Sequence, residues 1–273
     1  MSSYEVDRAF ETVTVLRDGG AARIELSRPE TMNAWNRQLG LDLRAAVEAV
    51  AGDPAVRCVC LAGAGRAFSS GADLKEMGSA EDLDANGRPD VYRVLTERYH
   101  PIILGLRAMP KPVVAAVHGP AVGIGLSLAL AADLVVAAES AYFLLAFVNI
   151  GLVPDGGSSG LVPARVGMTR AMEMSMLGER IPAAQALEWG LINRVHPDAG
   201  FRGEVDALVQ RLAAGPTRAY AGAKRQLNAW TQRGLEDQLE LEATIQREMA
   251  GSDDFVEGVS AFVHKRQAAF GGS

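Results

Sequence analysis

The stretch 12–27, TVTVLRDGGAARIELS, alternates apolar and polar residues on either side of Asp18-Gly19-Gly20, which predicts a β-hairpin. From 36 to 53, NRQLGLDLRAAVEAVAGD, leucine and valine recur at three- and four-residue spacing, and a Gly-Asp pair ends the run, so this is a helix. Three apolar runs follow, at 57–63, 112–119 and 133–139, each ending in a turn. Apolar strands alternating with helices predict a sheet covered on both faces. Between them, 78–90 (GSAEDLDANGRPD) is polar and reads as a mobile surface loop. After about residue 197 the strand pattern stops. The stretches 201–215, 216–230, 234–249 and 254–270 all read as helices. In the third, Leu235, Leu239, Leu241, Ile245 and Met249 share an arc of roughly 160° at 100° per residue. Such stripes need a cover, from the same chain or from a second subunit.

Composition narrows the class. The chain has 273 residues, 48% hydrophobic and 22% charged, with a net charge of −6. That length can bury a sizeable core. The acidic balance disfavours a nucleic-acid or anionic-membrane partner, which needs a basic face. The first residues, MSSYEVDRAFETV, lack the apolar core of a secretory signal. The apolar runs at 121–132 and 141–153 fall short of a membrane span. Cys58 and Cys60, the only cysteines, read as small core residues on one strand face and fit a reducing cytoplasm.

Two glycine-rich segments follow strands: GAGRAFSSGADLKEM (63–77), which reads as opening a helix near Asp73, and HGPAVGIGLSLALAAD (118–133). Leu128 stands where a dinucleotide fingerprint needs its third glycine, and there is no phosphate-loop lysine. The glycines let a helix approach a strand closely, or they aim free backbone N–H groups at one anion. Asp155 is the only carboxylate, amine or guanidinium side chain between 141 and 164. As part of PDGG it reads as a turn or helix N-cap, or as a functional carboxylate in an apolar surround. His118 reads as structural, Glu139 as solvent-facing or capping, and Glu76 as solvent-facing, capping or edging a pocket. Ser127 has no evident His-Asp partners, which argues against a nucleophilic triad.

Six pieces carry a resemblance: LSRPETMNAWN (26–36), GRAFSSGADLKEM (65–77), AAVHGPAVGIGLSLALAADLVVA (115–137), NIGLVPDGGSSGLVPARVG (149–167), MSMLGERIPAAQALEWGLINRV (174–195) and EGVSAFVHKRQAAF (257–270). In order along nearly the whole chain, they resemble the crotonase, or enoyl-CoA hydratase/isomerase, family. The resemblance implies an α/β fold: a spiral of ββα units over 1–197, then a helical trimerisation region over 198–273. It implies an acyl-CoA substrate whose thioester oxygen meets the backbone N–H groups of Ala72 and Ile124. Coenzyme A is then expected near Arg28 and Ala34 and along Ser70, Gly71, Asp73, Leu74 and Lys75. The resemblance adds Gly123, Gly125, Ser127, Phe147 and Pro154 to the residues that bind the substrate or its coenzyme A, and brings Phe262 and Lys265 from a neighbouring subunit. Hydratases of the family use two glutamates, whose positions fall on Ser127 and Phe147. Asp155 falls where an aspartate serves as base in dienoyl-CoA isomerases and in the ring-epoxide isomerase of phenylacetate breakdown. The resemblance therefore implies an isomerase with one carboxylate base. The alternatives are a hydratase, a hydrolase or dehalogenase with Asp155 as nucleophile, and a non-catalytic acyl-CoA binder. It implies no metal and no cofactor beyond the coenzyme A of the substrate, and a cytoplasmic homotrimer or dimer of trimers.

Overall fold

The computed structural model describes residues 4–76, 82–85 and 87–273. The chain runs β1 (Glu5–Ala9), β2 (Val13–Asp18), β3 (Ala21–Leu26), α1 (Arg37–Gly52), β4 (Cys58–Gly63), α2 (Val91–Val94), a π-helical turn (Leu95–Tyr99), α3 (His100–Ala108), β5 (Val113–Val117), β6 (Ala121–Val122) and α4 (Ile124–Ala131). It continues with β7 (Leu134–Ala138), β8 (Tyr142–Leu144), a 3-10 turn (Phe147–Ile150), α5 (Ser158–Leu161), α6 (Pro163–Leu177), β9 (Ile181–Pro182), α7 (Ala183–Glu188) and β10 (Arg194–His196). Four helices close it: α8 (Phe201–Ala214), α9 (Thr217–Thr231), α10 (Leu235–Ala250) and α11 (Asp253–Val263).

Seven strands form one sheet in the order β1-β2-β3-β4-β5-β7-β10, and β6-β8-β9 form a second. The β2–β3 hairpin turns through Gly19 at φ 56°, and from β3 to β10 the large sheet is parallel. The pairs β5–β6 and β7–β8 each give their first strand to the large sheet and their second to the small one. That alternation winds the chain into a spiral. Strand period two splits the apolar runs between two cores. Val59, Leu61, Val113, Ala115 and Val135 face α1, α3 and α4 in the larger core. Cys58, Cys60, Val114, Ala116 and Val136 face the other way, where α8 covers them with Phe201, Val205, Leu208 and Val209. Both cysteines are therefore core residues under α8, with free thiols. No helix among the described residues is long and apolar enough to cross a membrane.

Two local expectations are corrected, and a third falls partly outside the described residues. No helix opens at Asp73: the chain makes a turn closed by Glu76 N–H on Asp73 O at 3.1 Å, and the next residues lie outside the described ones. The expected loop at 78–90 lies partly outside the described residues. Its described part is pinned, with Asp84 N–H on Arg88 O at 2.7 Å and Asp82 buried beside Arg98 at 2.5 Å. On α10 the buried face is Leu239, Glu242, Ala243, Gln246 and Ala250, whereas Leu241 is exposed. At 3.6 residues per turn that face is rotated by roughly 70° from the apolar stripe. Two polar side chains lie on it because polar partners wait inside the protein.

Candidate functional site

Two glycine turns meet at the site. Gly71 (φ 95°) and Gly123 (φ 53°) adopt backbone conformations that L side chains rarely do, and they touch: a Cβ on Gly123 would lie 3.9 Å from Gly71 Cα. A Cβ on Gly71 would lie 3.1 Å from Val122 O. The residues that follow are thereby side by side. Ala72 forms a parallel bridge with Trp35, made by Trp35 N–H on Gly71 O (2.7 Å) and Asp73 N–H on Trp35 O (2.9 Å). Those two bonds leave the Ala72 N–H pointing away from the ladder. Ile124 opens α4, so its N–H has no intrahelical acceptor. Among the described residues neither N–H meets a protein acceptor.

The opposite end of α4 explains why this helix stays put. All eight of its residues are buried. Its last carbonyls are held by two guanidinium groups. Arg165 donates to Leu130 O (2.6 Å) and Ala132 O (3.2 Å), and Arg107 to Ala131 O (3.2 Å). Cations at a helix C-terminus complement its dipole, and the other end, positive, faces the site.

Both N–H groups border a cavity of about 470 Å³. Ser70, Gly71, Ala72, Asp73 and Leu74 form one side, and Gly123, Ile124, Phe147 and Asp155 the other. Trp35 and Tyr99, missed by sequence reasoning, meet edge to face at 5.0 Å between centroids and add an aromatic wall. Phe262 and Arg266 stand at the border, with Gly258 and Ala261. These come from α11 and the turn after it in the same chain. Gly258 is why α11 sits so close: a Cβ there would lie 2.6 Å from the Ile150 backbone.

Other expected residues are not part of the cavity lining. Lys265 is exposed outside the lining, and its neighbour Arg266 lines the cavity, as do Arg37 and Arg98. Arg28 is buried and spent on Ala34 O (2.6 Å), Asp73 (3.1 Å) and Glu76 (3.0 Å). It fixes the Ser70-to-Glu76 stretch from behind. Ala34 is buried, and Lys75 is exposed outside the lining. Gly125 packs on Ser69, where a Cβ would lie 2.7 Å from its side chain. Pro154 precedes Asp155 without reaching the cavity. Ser127 is fully buried and donates to Asp155 O at 2.7 Å, so it supports the main chain beneath the site. His118 Nε2 pairs with Gly65 O at 2.9 Å, and exposed Glu139 lies outside the lining.

Asp155 is buried, and it is not an N-cap. α5 starts after Gly157 and takes no side-chain cap from Asp155. Glu242 of α10 does that work, accepting Gly157 N–H (2.8 Å) and Ser159 N–H (3.0 Å) and bonding the Ser159 hydroxyl. The Asp155 carboxylate takes one hydrogen bond, from Gln246 Nε2 to Oδ2 at 2.9 Å. Oδ1 is buried with no partner among the described residues. Burial pushes the carboxyl up to about 8, against the Gln246 bond, and the nearby Glu242 charge adds to the rise. Glu242 is itself raised by burial to about 7. The other cavity carboxylates pair with cations: Asp73 and Glu76 with Arg28, and Asp82 with Arg98. Asp155 pairs with none among the described residues. No group of three or more His, Cys, Asp or Glu among those residues has the arrangement of a metal site.

Comparison with known proteins identifies the family. The enoyl-CoA hydratase/isomerase family model matches residues 17–273. A probable enoyl-CoA hydratase of Rhodobacter capsulatus is 43% identical over 97% of this chain and 99% of its own. The 1,2-epoxyphenylacetyl-CoA isomerase of Escherichia coli is 39% identical over 93% of this chain and 95% of its own. The crystal structure of an enoyl-CoA hydratase from Mycobacterium avium subsp. paratuberculosis superposes with a TM-score of 0.87 at 40% identity, covering 96% of this chain and 100% of that one.

Proposed function

Because the chain belongs to the enoyl-CoA hydratase/isomerase family, we propose that it isomerises enoyl-CoA thioesters, or related ring or epoxide acyl-CoA thioesters, with Asp155 as its one base. The observation that carries this reading is that, among the described residues, one cavity carboxylate has no cation, in a cavity bordered by two backbone N–H groups without acceptors. In the proposed pose the thioester oxygen accepts both N–H groups. Asp155 removes a proton from the acyl carbon chain, and the C–H electron pair moves into the thioester as an enolate. The two N–H groups stabilise the charge that develops on oxygen, the usual way such donors accelerate enolisation. Asp155, now holding a proton that exchanges with water, protonates another carbon, and the double bond has moved. One carboxylate suffices for both transfers. Ser127 and Phe147 offer no second base, since one is sealed behind the Asp155 main chain and the other cannot ionise.

A base must be ionised to act, and a pKa near the working pH suits a group that both takes and gives a proton. With the carboxyl pushed up to about 8, kcat/KM is expected to rise about tenfold per pH unit below that value and to level above it. The measurement is deuterium entry at the α- and γ-carbons of an acyl-CoA panel in deuterated water, from pH 6 to 9.5. A rate flat over that range removes Asp155 as the ionising base. Hydration is the second reading, favoured by the name of the Rhodobacter capsulatus relative. It makes Asp155 activate water alone, and crotonyl-CoA hydration faster than proton exchange would establish it.

The proposed assembly is a homotrimer or a dimer of trimers. Supporting it are the apolar side chains left outside: Met168, Met172 and Met176 along α6, and Leu227 and Trp230 on α9, the last 79% exposed. Sedimentation at micromolar concentration is expected to give a trimer or hexamer. A monomer overturns the assembly.

A further inference from the structure

Gln246 is fully buried on α10, 91 residues from the carboxylate it touches. Its amide has one possible orientation. Oε1 accepts Val153 N–H at 3.2 Å, and a main-chain N–H can only donate. Nε2 is therefore the atom on Asp155 Oδ2, at 2.9 Å. The Asp155 main chain is held separately: its carbonyl accepts Ser127 Oγ (2.7 Å), Ser158 Oγ (2.8 Å) and Ser158 N–H (3.1 Å). What Gln246 adds is control of the side chain alone. Two titratable groups approach the carboxylate: Glu242, one turn earlier on α10, and Tyr99 of the π-helical turn. Neither hydrogen-bonds it. From α4 and α5 come the hydroxyls of Ser127 and Ser158, and from the 3-10 turn Phe147, none of them charged.

We propose that Gln246 is a positioning residue for Asp155: by occupying Oδ2 it turns the carboxylate and reserves Oδ1, the oxygen without a partner, for the proton that moves. The proposal rests on the isomerase reading. It makes α10 part of the machinery, although that helix brings no group to the reacting atoms. The hydrogen bond favours the ionised carboxylate, so removing it should make Asp155 a poorer base at neutral pH without changing how substrate binds.

Two variants test it. Gln246→Met keeps the length and loses both hydrogen bonds. Gln246→Glu keeps an acceptor for Val153 N–H and removes the amide donor, so it carries the test if the methionine variant does not fold. The readouts are the pH profile of proton exchange and the ¹³C titration of the Asp155 carboxyl in ¹³C-aspartate-labelled protein, assigned by its loss in Asp155→Asn. In Gln246→Met the midpoint should rise by about one to two units, and kcat at pH 7 should fall about 10–100-fold with KM within roughly twofold. Gln246→Glu should move the midpoint further the same way, because two carboxyls then face each other. An unmoved midpoint and pH limb in a variant with native circular dichroism overturns the positioning role. Full exchange by Asp155→Asn overturns the isomerase reading instead, and the carboxyl titration separates the two failures.

Discussion

Asp155→Asn is expected to lose ~10²–10⁴ in proton-exchange rate and, above neutral pH, to melt higher than the wild type. The two effects have one cause. The carboxyl is buried with one hydrogen bond, and burial pushes it up to about 8. Below pH 4 it is protonated folded and unfolded, and pH costs nothing. From 4 to 8 the unfolded chain releases the proton while the fold retains it, so stability falls. Above 8 both states are ionised and the loss levels at about 5 kcal/mol, taking 1.36 kcal/mol per unit. Asparagine has no such loss. It accepts from Gln246 as before, but its NH₂ lands where Oδ1 lacks a partner, at a cost of about 1–3 kcal/mol. At pH 8 the penalty on the wild-type carboxyl outweighs the unpaired amide of the variant, and near pH 5 the amide costs more. Melting curves at both pH values, with exchange rates, check this. A melting difference constant across pH would mean that the carboxyl is not buried at its own expense.

That stability penalty was not legible in the sequence, whereas much of the framework was. The hairpin, α1, β4, β5, β7 and α8 to α10 follow from local periodicity and stand where the pattern puts them, whereas the last helix, expected over 254–270, ends at Val263. Strand β1 escaped because all five residues are exposed and carry no alternation. The buried face of α10 departs from its apolar stripe because apolar residues alone do not mark the inside. Glu242 and Gln246 are inside because their partners, at Val153, Asp155, Gly157 and Ser159, arrive from 83 to 93 residues away. No window of sequence contains both halves of such a pair. Separation along the chain also hid Trp35 and Tyr99, whose contact joins two distant segments. Asp155 could be singled out because its neighbours are apolar. Its competing role as a cap could be dismissed only once Glu242 was seen to hold Gly157 and Ser159.

Ile124→Pro should lower the exchange rate by ~10²–10³ relative to Ile124→Ala, the loss expected for one oxyanion donor. Alanine is the reference because both variants delete the isoleucine side chain and only proline deletes the N–H. Deleting that side chain has its own effect. Ile124 is buried, and its Cδ1 fills the space over Gly156, so close that a Cβ on Gly156 would lie 2.4 Å from it. Truncation should cost about 2–5 kcal/mol of stability in both variants while leaving Ile124→Ala within roughly tenfold of the wild-type rate. Proline is tolerable here because the position is the first of α4, where the N–H has no intrahelical acceptor to lose. The helix is also anchored from its far end by Arg107 and Arg165, so its start should not wander. A folded Ile124→Pro enzyme as fast as Ile124→Ala would leave the N–H with no part in catalysis, and Ala72 would then have to bear the enolate charge with a different partner.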